Sequence, residues 1–476
     1  MVVGVAAATV AAGAADVAVT GSDRGPTPSS EPPPGAAAGL EPGVELTTLD
    51  NGVRIVTERM ADAHSVTLGF WAAIGPRDEP AELAGASHFL EHLLFKGTAQ
   101  RSARQIAVAV DAVGGEMNAF TTREHTAYYT RLPVGELSFG LDLLTDVVGA
   151  PAFRPAEVDA EREVIIEEIL MNEDTPDDVV HTHLLEAAFP DHPLGRETLG
   201  TEDTILAMDR DQIAEFHAHW YLPANLVVAA AGDLHHDQVV ERVAAFLGDA
   251  PRGERPARVA PGLAAAALVV AERPTEQAHV AMAWRGLDHR HPDRYALAVA
   301  NQILGGGMSS RLFQEVREER GLAYTVFTSP SSFADAGVVT LYAGTGPSRL
   351  GELLEVIDDT LDALVANGIT DDELAVAKGY LEGATLLGLE DSGSRMGRLG
   401  SGLTGRGEIV PVEVHLARTR SVTVADVNSV LCRVLGAPSV LSVVGPFHDD
   451  DPRLAAAMAR ADQRLRLAQG SDPRSN

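Results

Sequence analysis

The chain has 476 residues, 45% of them hydrophobic and 22% charged, and a net charge of -31. That length predicts two or more domains with full cores. The charge excludes a nucleic-acid partner, whose phosphates it would repel, and leaves neutral or basic peptides as candidates. A single cysteine, Cys432, excludes both an intrachain disulfide and a cysteine-based zinc site. Any metal must be held by histidine and carboxylate. The apolar stretch around Cys432 predicts a buried structural role for it.

Residues 1–20 are rich in Ala and Val but contain no Lys or Arg, so they lack the positive region of a secretory signal. No uncharged apolar run of about 18 residues follows. The expectation is a cytoplasmic protein without a membrane span. Residues 21–44 are dominated by Pro, Gly and Ser, which predicts a disordered tail over 1–44. A flexible tail is expected over 463–476. In the first half, β-type runs predict strands at 53–59, 65–73, 126–132 and 225–232. Amphipathic patterns predict helices at 85–96, 103–113, 136–148, 155–172 and 210–219.

Much of this repeats. Val53–Arg59 matches Ala267–Arg273, and Ala63–Val66 matches Ala278–Ala281. The stretch from Leu226 to His235 likewise matches that from Val440 to His448. Three blocks at nearly one offset predict two similar domains, 45–248 and 265–462, joined by a Pro/Arg-rich linker at 249–264. Helices over a sheet in each copy predict an α+β fold. Periodicity alone leaves the strand direction open.

The informative stretch is His88-Phe89-Leu90-Glu91-His92. On a helix His88, Glu91 and His92 share one face, so two imidazoles can chelate one zinc. The order H-x-x-E-H is the inverted, inverzincin arrangement. A third ligand is sought in Glu161-Arg162-Glu163-Val164-Ile165-Ile166-Glu167-Glu168-Ile169. Glu161 and Glu168 fall on the arc of Val164, Ile165 and Ile169, whereas Glu163 and Glu167 lie off it. A carboxylate on an apolar face requires a partner. One of Glu161 and Glu168 is therefore the expected ligand and the other its support, and the helix geometry does not rank them. The histidine pairs 181/183, 217/219, 235/236 and 289/291 have diverging spacings and read as surface or structural. Gly305-Gly306-Gly307 lacks the Lys-Ser/Thr of a phosphate loop and reads as a flexible connector.

HFLEHLLFKGT (88–98), GGEMNAFTTREHTAYY (114–129), EREVIIEEI (161–169) and LGGGMSSRLFQEVREERGLAYTVF (304–327) together resemble the pitrilysin/insulinase family of zinc peptidases. The closest likeness is to its short two-domain branch, which includes mitochondrial processing peptidase and its bacterial homologues. The resemblance implies one zinc per chain, held by His88, His92 and Glu168, with Glu91 as general base and Glu161 as the supporting acid. It implies that Asn118 and Ala119 lie on an edge strand that binds peptide by strand addition. It implies that Arg317 and Tyr324 of the metal-free second copy contact substrate. Two mainly antiparallel sheets covered by helices should enclose a chamber. The expected function is zinc-dependent endopeptidase action on unfolded or presequence-like peptides, by a homodimer or an assembly with a related chain. The alternative is a non-catalytic partner or scaffold subunit of a processing-peptidase-like complex.

Overall fold

The computed structural model describes residues 39–263 and 265–470. In the first half, β1 (Val44–Thr48), β2 (Arg54–Arg59) and β3 (Ser65–Ala72) precede α1 (Ala86–Leu94) and α2 (Ala103–Ala112). Then come β4 (Glu116–Thr122), β5 (His125–Pro133), α3 (Leu137–Gly149), α4 (Pro155–Asp174) and α5 (Pro176–Ala188). The half closes with α6 (Glu202–Ala207), α7 (Arg210–Trp220), β6 (Leu226–Gly232) and α8 (His236–Leu247). The second half begins with β7 (Ala267–Glu272), β8 (Ala278–Arg285), α9 (Arg294–Leu304), β9 (Ala323–Ser332) and β10 (Gly337–Thr345). It continues through α10 (Leu350–Asn367), α11 (Asp371–Gly388), α12 (Ser392–Ser401), α13 (Val412–Ser421) and α14 (Val424–Leu435). It ends with β11 (Ser439–Gly445) and α15 (Pro452–Gly470).

The two sheets share one topology. The first has the order β1-β2-β6-β3-β5-β4 and the second β7-β11-β8-β10-β9. Apart from the added edge strand β1, their strand orders correspond one for one. Each is antiparallel except for one pair, β2 with β6 and β7 with β11. This is the mainly antiparallel, duplicated α+β fold.

Burial explains why the central strands read as continuous apolar runs. Every residue of β6 and of β11 is buried. On β6, Val228 and Ala230 face the core built with α1, α3 and α8, while Val227, Ala229 and Ala231 face the opposite side. A strand covered on both faces loses its polar alternation.

The second cover comes from the other half. Met396, Leu399 and Leu403 of the second half close the outer face of the first sheet against Trp71 and Val227. Reciprocally, Val179, Val180, Leu184 and Ala188 of α5 close the second sheet against Ala281, Val440 and Val444. Helices α5 and α12 occupy equivalent places in the repeat, so the halves exchange equivalent helices. The exchange is tight: a Cβ on Gly400 would stand 2.1 Å from Trp71 Cε2. The rigid indole cannot yield, so Gly400→Ala should lower stability by about 1–3 kcal/mol, read as a lower calorimetric melting temperature.

Several expectations fail here. Residues 40–44 are not a loose tail: Val44 is buried, and Glu41 pairs with Arg398 and accepts the Val412 N–H at 2.9 Å. Residues 1–38 lie outside the described set. The expected flexible tail from 463 is helical to Gly470, because Arg464 is buried on Asp358 and Asp362, each at 2.7 Å. Residues 471–476 lie outside the description. Helix α5 and strands β1 and β4 were not among the periodic segments. Cys432 is only partly buried.

The linker is pinned rather than free. Arg258 holds Asp78 at 2.7 Å, and the Val259 carbonyl accepts from Arg77. Arg77 also reaches Glu124 at 2.6 Å and Asp335 at 2.7 Å. Burial works to raise the Glu124 carboxyl, but His289, Arg258, the Ala334 N–H and Arg77 outweigh it and hold it at about 2. This network fastens the β4–β5 hairpin to the second half. Among the described residues, no helix is long and apolar enough to cross a membrane.

Candidate metal centre

Helix α1 carries the motif and is buried along its whole length. Phe89, Leu90, Leu93 and Leu94 anchor it in the first core. Its start is fixed by Gly85, at φ 95°, where a Cβ would meet the Leu199 carbonyl at 2.6 Å. Glu79 accepts the N–H groups of Gly85 at 2.8 Å and Ser87 at 2.6 Å. That carboxylate satisfies two of the unpaired amides of the helix start. Burial raises it to about 7.

Helix α4 runs beside α1 and brings Glu161 and Glu168 to it. One atom each from His88, His92 and Glu168 lies within 4.8 Å of the others. The Glu168 Oε2 atom stands 3.7 Å from His88 Nε2 and 3.6 Å from His92 Nε2. The His88 and His92 rings are 4.7 Å apart. His92 Nε2 and Glu168 Oε1 are buried with no hydrogen-bond partner. Orphaned polar atoms at such a site are what a metal would satisfy. Two imidazole nitrogens and one carboxylate are also a donor set suited to zinc.

Glu161 takes the other place. Its Oε2 lies 3.1 Å from His92 Nδ1, and its Oε1 lies 2.5 Å from Lys96 Nζ. A proton on Nδ1 donates to Glu161 and leaves the Nε2 lone pair free for a metal. Burial opposes ionisation of Glu161, but His92 and Lys96 hold it below its usual range. His88 falls to about 3, through burial and then the neighbouring His92, so it is a neutral donor at ordinary pH.

Glu91 is buried on the same helix. Its carboxyl lies against the hydroxyl and backbone N–H of Thr121 on β4, and burial raises its pKa. Burial also raises Glu168, with Glu91 adding to it and His92 opposing. Glu163 and Glu167 are exposed. Val164, expected on the buried arc, is 48% exposed. The buried line runs through Val158, Glu161, Ile165 and Ile169, and Val164 sits just beyond its edge.

β4 is the edge strand of its sheet and holds Asn118, exposed, and Ala119, buried. Asn118 Oδ1 accepts the Ala119 N–H at 2.9 Å. In the second half, the Arg317 guanidinium lies 4.4 Å from the Tyr324 ring centroid and 4.8 Å from that of Phe313. Arg317 and Tyr324 are thus together. Among the described residues, no hydrogen bond or ion pair joins them to the histidine cluster.

Other sequence readings change. Gly305 and Gly306 are packed against Thr328 and Gln302, with a Cβ at either meeting atoms at 2.8 Å, so this is no flexible connector. The histidine pairs keep the surface or structural reading: His181 stacks on Tyr342 of the second half at 5.1 Å. His217 is partly buried and bonded to the Val148 carbonyl at 2.8 Å, a structural role as expected for that pair. Sequence reasoning missed Lys96, Thr121 and Glu79. Lys96 had a signal, standing four residues after His92; Thr121 and Glu79 had none.

Comparison with known proteins gives the family. Residues 54–202 match the model described as insulinase (peptidase family M16), and residues 207–381 match the peptidase M16 inactive domain. An uncharacterised zinc protease of Streptomyces coelicolor is 48% identical over 419 residues, 85% of this chain and 90% of that protein. The chain belongs to peptidase family M16. Another member, an uncharacterised zinc protease of Bacillus subtilis, is 38% identical over 85% of this chain and 98% of its own. The M16 fold recurs in a crystal structure described as a peptidase M16 inactive domain from Pseudomonas fluorescens. The TM-score is 0.80 at 24% identity, over 85% of this chain and 98% of that one. A protease from Helicobacter pylori gives 0.79 at 24% identity, over 85% of this chain and 99% of its own.

If Glu168 is the ligand, Glu168→Gln should lose metal while Glu167→Gln keeps it. Glu161→Gln should weaken metal affinity by about 10–100-fold, as expected for a residue that orients a ligand. Chelator competition measures all three. Retained metal in Glu168→Gln with loss in Glu167→Gln would overturn the assignment.

Proposed function

We propose that this M16 chain is a zinc-dependent endopeptidase acting on unfolded or presequence-like peptides. The observation that carries the reading is the convergence of one donor atom each from His88, His92 and Glu168 within 4.8 Å, with His92 Nε2 and Glu168 Oε1 buried and without a hydrogen-bond partner. Zinc held there would polarise the scissile carbonyl and lower the pKa of water. The remaining work belongs to the chain itself. Glu91 takes the proton of the attacking water and returns it to the leaving amine. Its raised pKa suits a group that must do both. Glu161 and Lys96 keep His92 in the ligating tautomer. β4 receives the peptide as an added strand at Asn118 and Ala119, displacing the Asn118 side chain from the Ala119 N–H. Arg317 and Tyr324 hold the carbonyl and the developing oxyanion.

The two halves act as domains 45–248 and 265–462 around a chamber that admits only extended chains. One chain carries both the metal motif and the Arg/Tyr pair, which favours a homodimer over an obligate heterodimer. Its place of action is the cytoplasm. The test is zinc content by mass spectrometry together with cut sites in a peptide library. Stoichiometric zinc in His88→Ala/His92→Ala would sink the site, and a zinc-loaded chain that cuts no peptide would favour the non-catalytic partner. Light scattering tests the dimer; a monomer at working concentration counts against it.

A further inference from the structure

The second half contains a cavity of about 420 Å³ between α9, α11, α12 and α13. Its polar wall includes Arg294, Arg398, Arg406 and His415, and its apolar wall includes Leu389 and Val412. The three arginines differ in how they are satisfied. Arg398 is paired with Glu41 and with Glu58, the latter at 3.0 Å. Arg294 lies 4.7 Å from the Tyr295 ring centroid and donates long hydrogen bonds to the His291 carbonyl at 3.4 Å and the Tyr295 hydroxyl at 3.3 Å, and its carboxylate partner Glu408 is 4.0 Å away. Arg406 has no hydrogen-bond or ion-pair partner for its guanidinium among the described residues, and its Nε is buried and orphaned. Burial, and then Arg294, pull Arg406 below its ordinary value, with Tyr295 and then Glu408 opposing. His415 is lowered by burial and then by Arg406, Arg294, Arg398 and Arg418, so it faces the cavity neutral.

Shortage of carboxylates does not explain this. The chain has 68 acidic residues against 37 Lys and Arg. Arg406 is only partly buried, but a guanidinium whose Nε is buried without a partner costs free energy unless a counter-charge reaches it. The size falls at the low end for small-molecule pockets, about 300–1,000 Å³.

We propose that this cavity binds a small organic anion, whose carboxylate or phosphate is held by Arg406 and Arg294 and whose apolar part lies against Leu389 and Val412. A guanidinium with free N–H groups matches either oxyanion as a fork. The site is separate from the peptidase residues and does not depend on their assignment.

The test is calorimetric titration and thermal shift of the zinc-loaded full chain with inorganic phosphate and, separately, with hexanoate. Saturable binding of at least one is expected. Phosphate alone identifies a phosphate-type ligand, and hexanoate alone a carboxylate with an apolar tail. Arg406→Gln should weaken that binding by at least about tenfold, with Arg406→Lys in between. Because Arg406 has no partner to lose, Arg406→Gln should keep the parent melting temperature. If it does not, Arg294→Gln carries the same comparison. Arg320→Gln, at an exposed pair with Glu315, should bind as the parent does. No saturable binding of either anion, or undiminished binding in Arg406→Gln and Arg294→Gln, overturns the proposal.

Discussion

Glu91→Gln should keep its zinc and lose peptide hydrolysis by about 10²–10⁴-fold, the usual worth of a positioned acid–base group. The amide has the shape of the carboxyl, so the buried position beside Thr121 stays filled. None of the three converging donor atoms is touched, and metal content should be unchanged. What disappears is the ability to accept a proton from water. Metal analysis and a cleavage assay on the same preparation read the two effects separately. Loss of both would make Glu91 structural. Retention of both would move the base elsewhere and remove the mechanism. Mixing Glu91→Gln with Arg317→Ala chains extends the test, since recovered activity would show that the base and the Arg/Tyr pair can serve one site from different subunits.

The second large effect concerns stability. Arg464 and Asp358 are each 2% exposed and lie 2.7 Å apart. Replacing Arg464 by Ala leaves Asp358 buried without its partner, and should cost about 3–5 kcal/mol. Asp362, at 39% exposure, can turn to water and adds little. The double variant Arg464→Met/Asp358→Leu removes both charges and keeps an apolar contact. It should recover most of the loss. Calorimetric melting of the three proteins decides this. A harmless Arg464→Ala would mean that the buried Arg464–Asp358 pair adds nothing net to stability.

Much of the centre was legible early. H-x-x-E-H is a local code, because residues three and four apart share a helix face whatever surrounds the helix. The same rule separated Glu161 and Glu168 from Glu163 and Glu167 on α4. It misjudged Val164, because an arc read from one helix does not say where its neighbours end. Rank order among the two glutamates depended on which one met His92 Nδ1 and which met both imidazoles, a contact made across about 70–80 residues of chain.

Other elements hid for physical reasons. The sequence of α5, PDDVVHTHLLEAA, has a face that is apolar only because it covers the other half's sheet. Strand β4, EMNAFTT, is an edge with one side open, so its alternation is weak. Residues 40–44 looked like the Pro/Gly-rich tail before them, yet Glu41 is ordered by Arg398, more than three hundred positions away.

By itself, then, the sequence determined the duplicated α+β architecture, the helix that bears the histidines and the pair of glutamates that could serve it. These follow from periodicity and repetition, which are properties of neighbours along the chain. Tertiary structure alone decided the exchange of α5 and α12, the seating of Glu161 between His92 and Lys96, and the isolation of Arg406. Each depends on burial and on partners far away in sequence, and a side chain's charge is satisfied or orphaned only once those partners are in place.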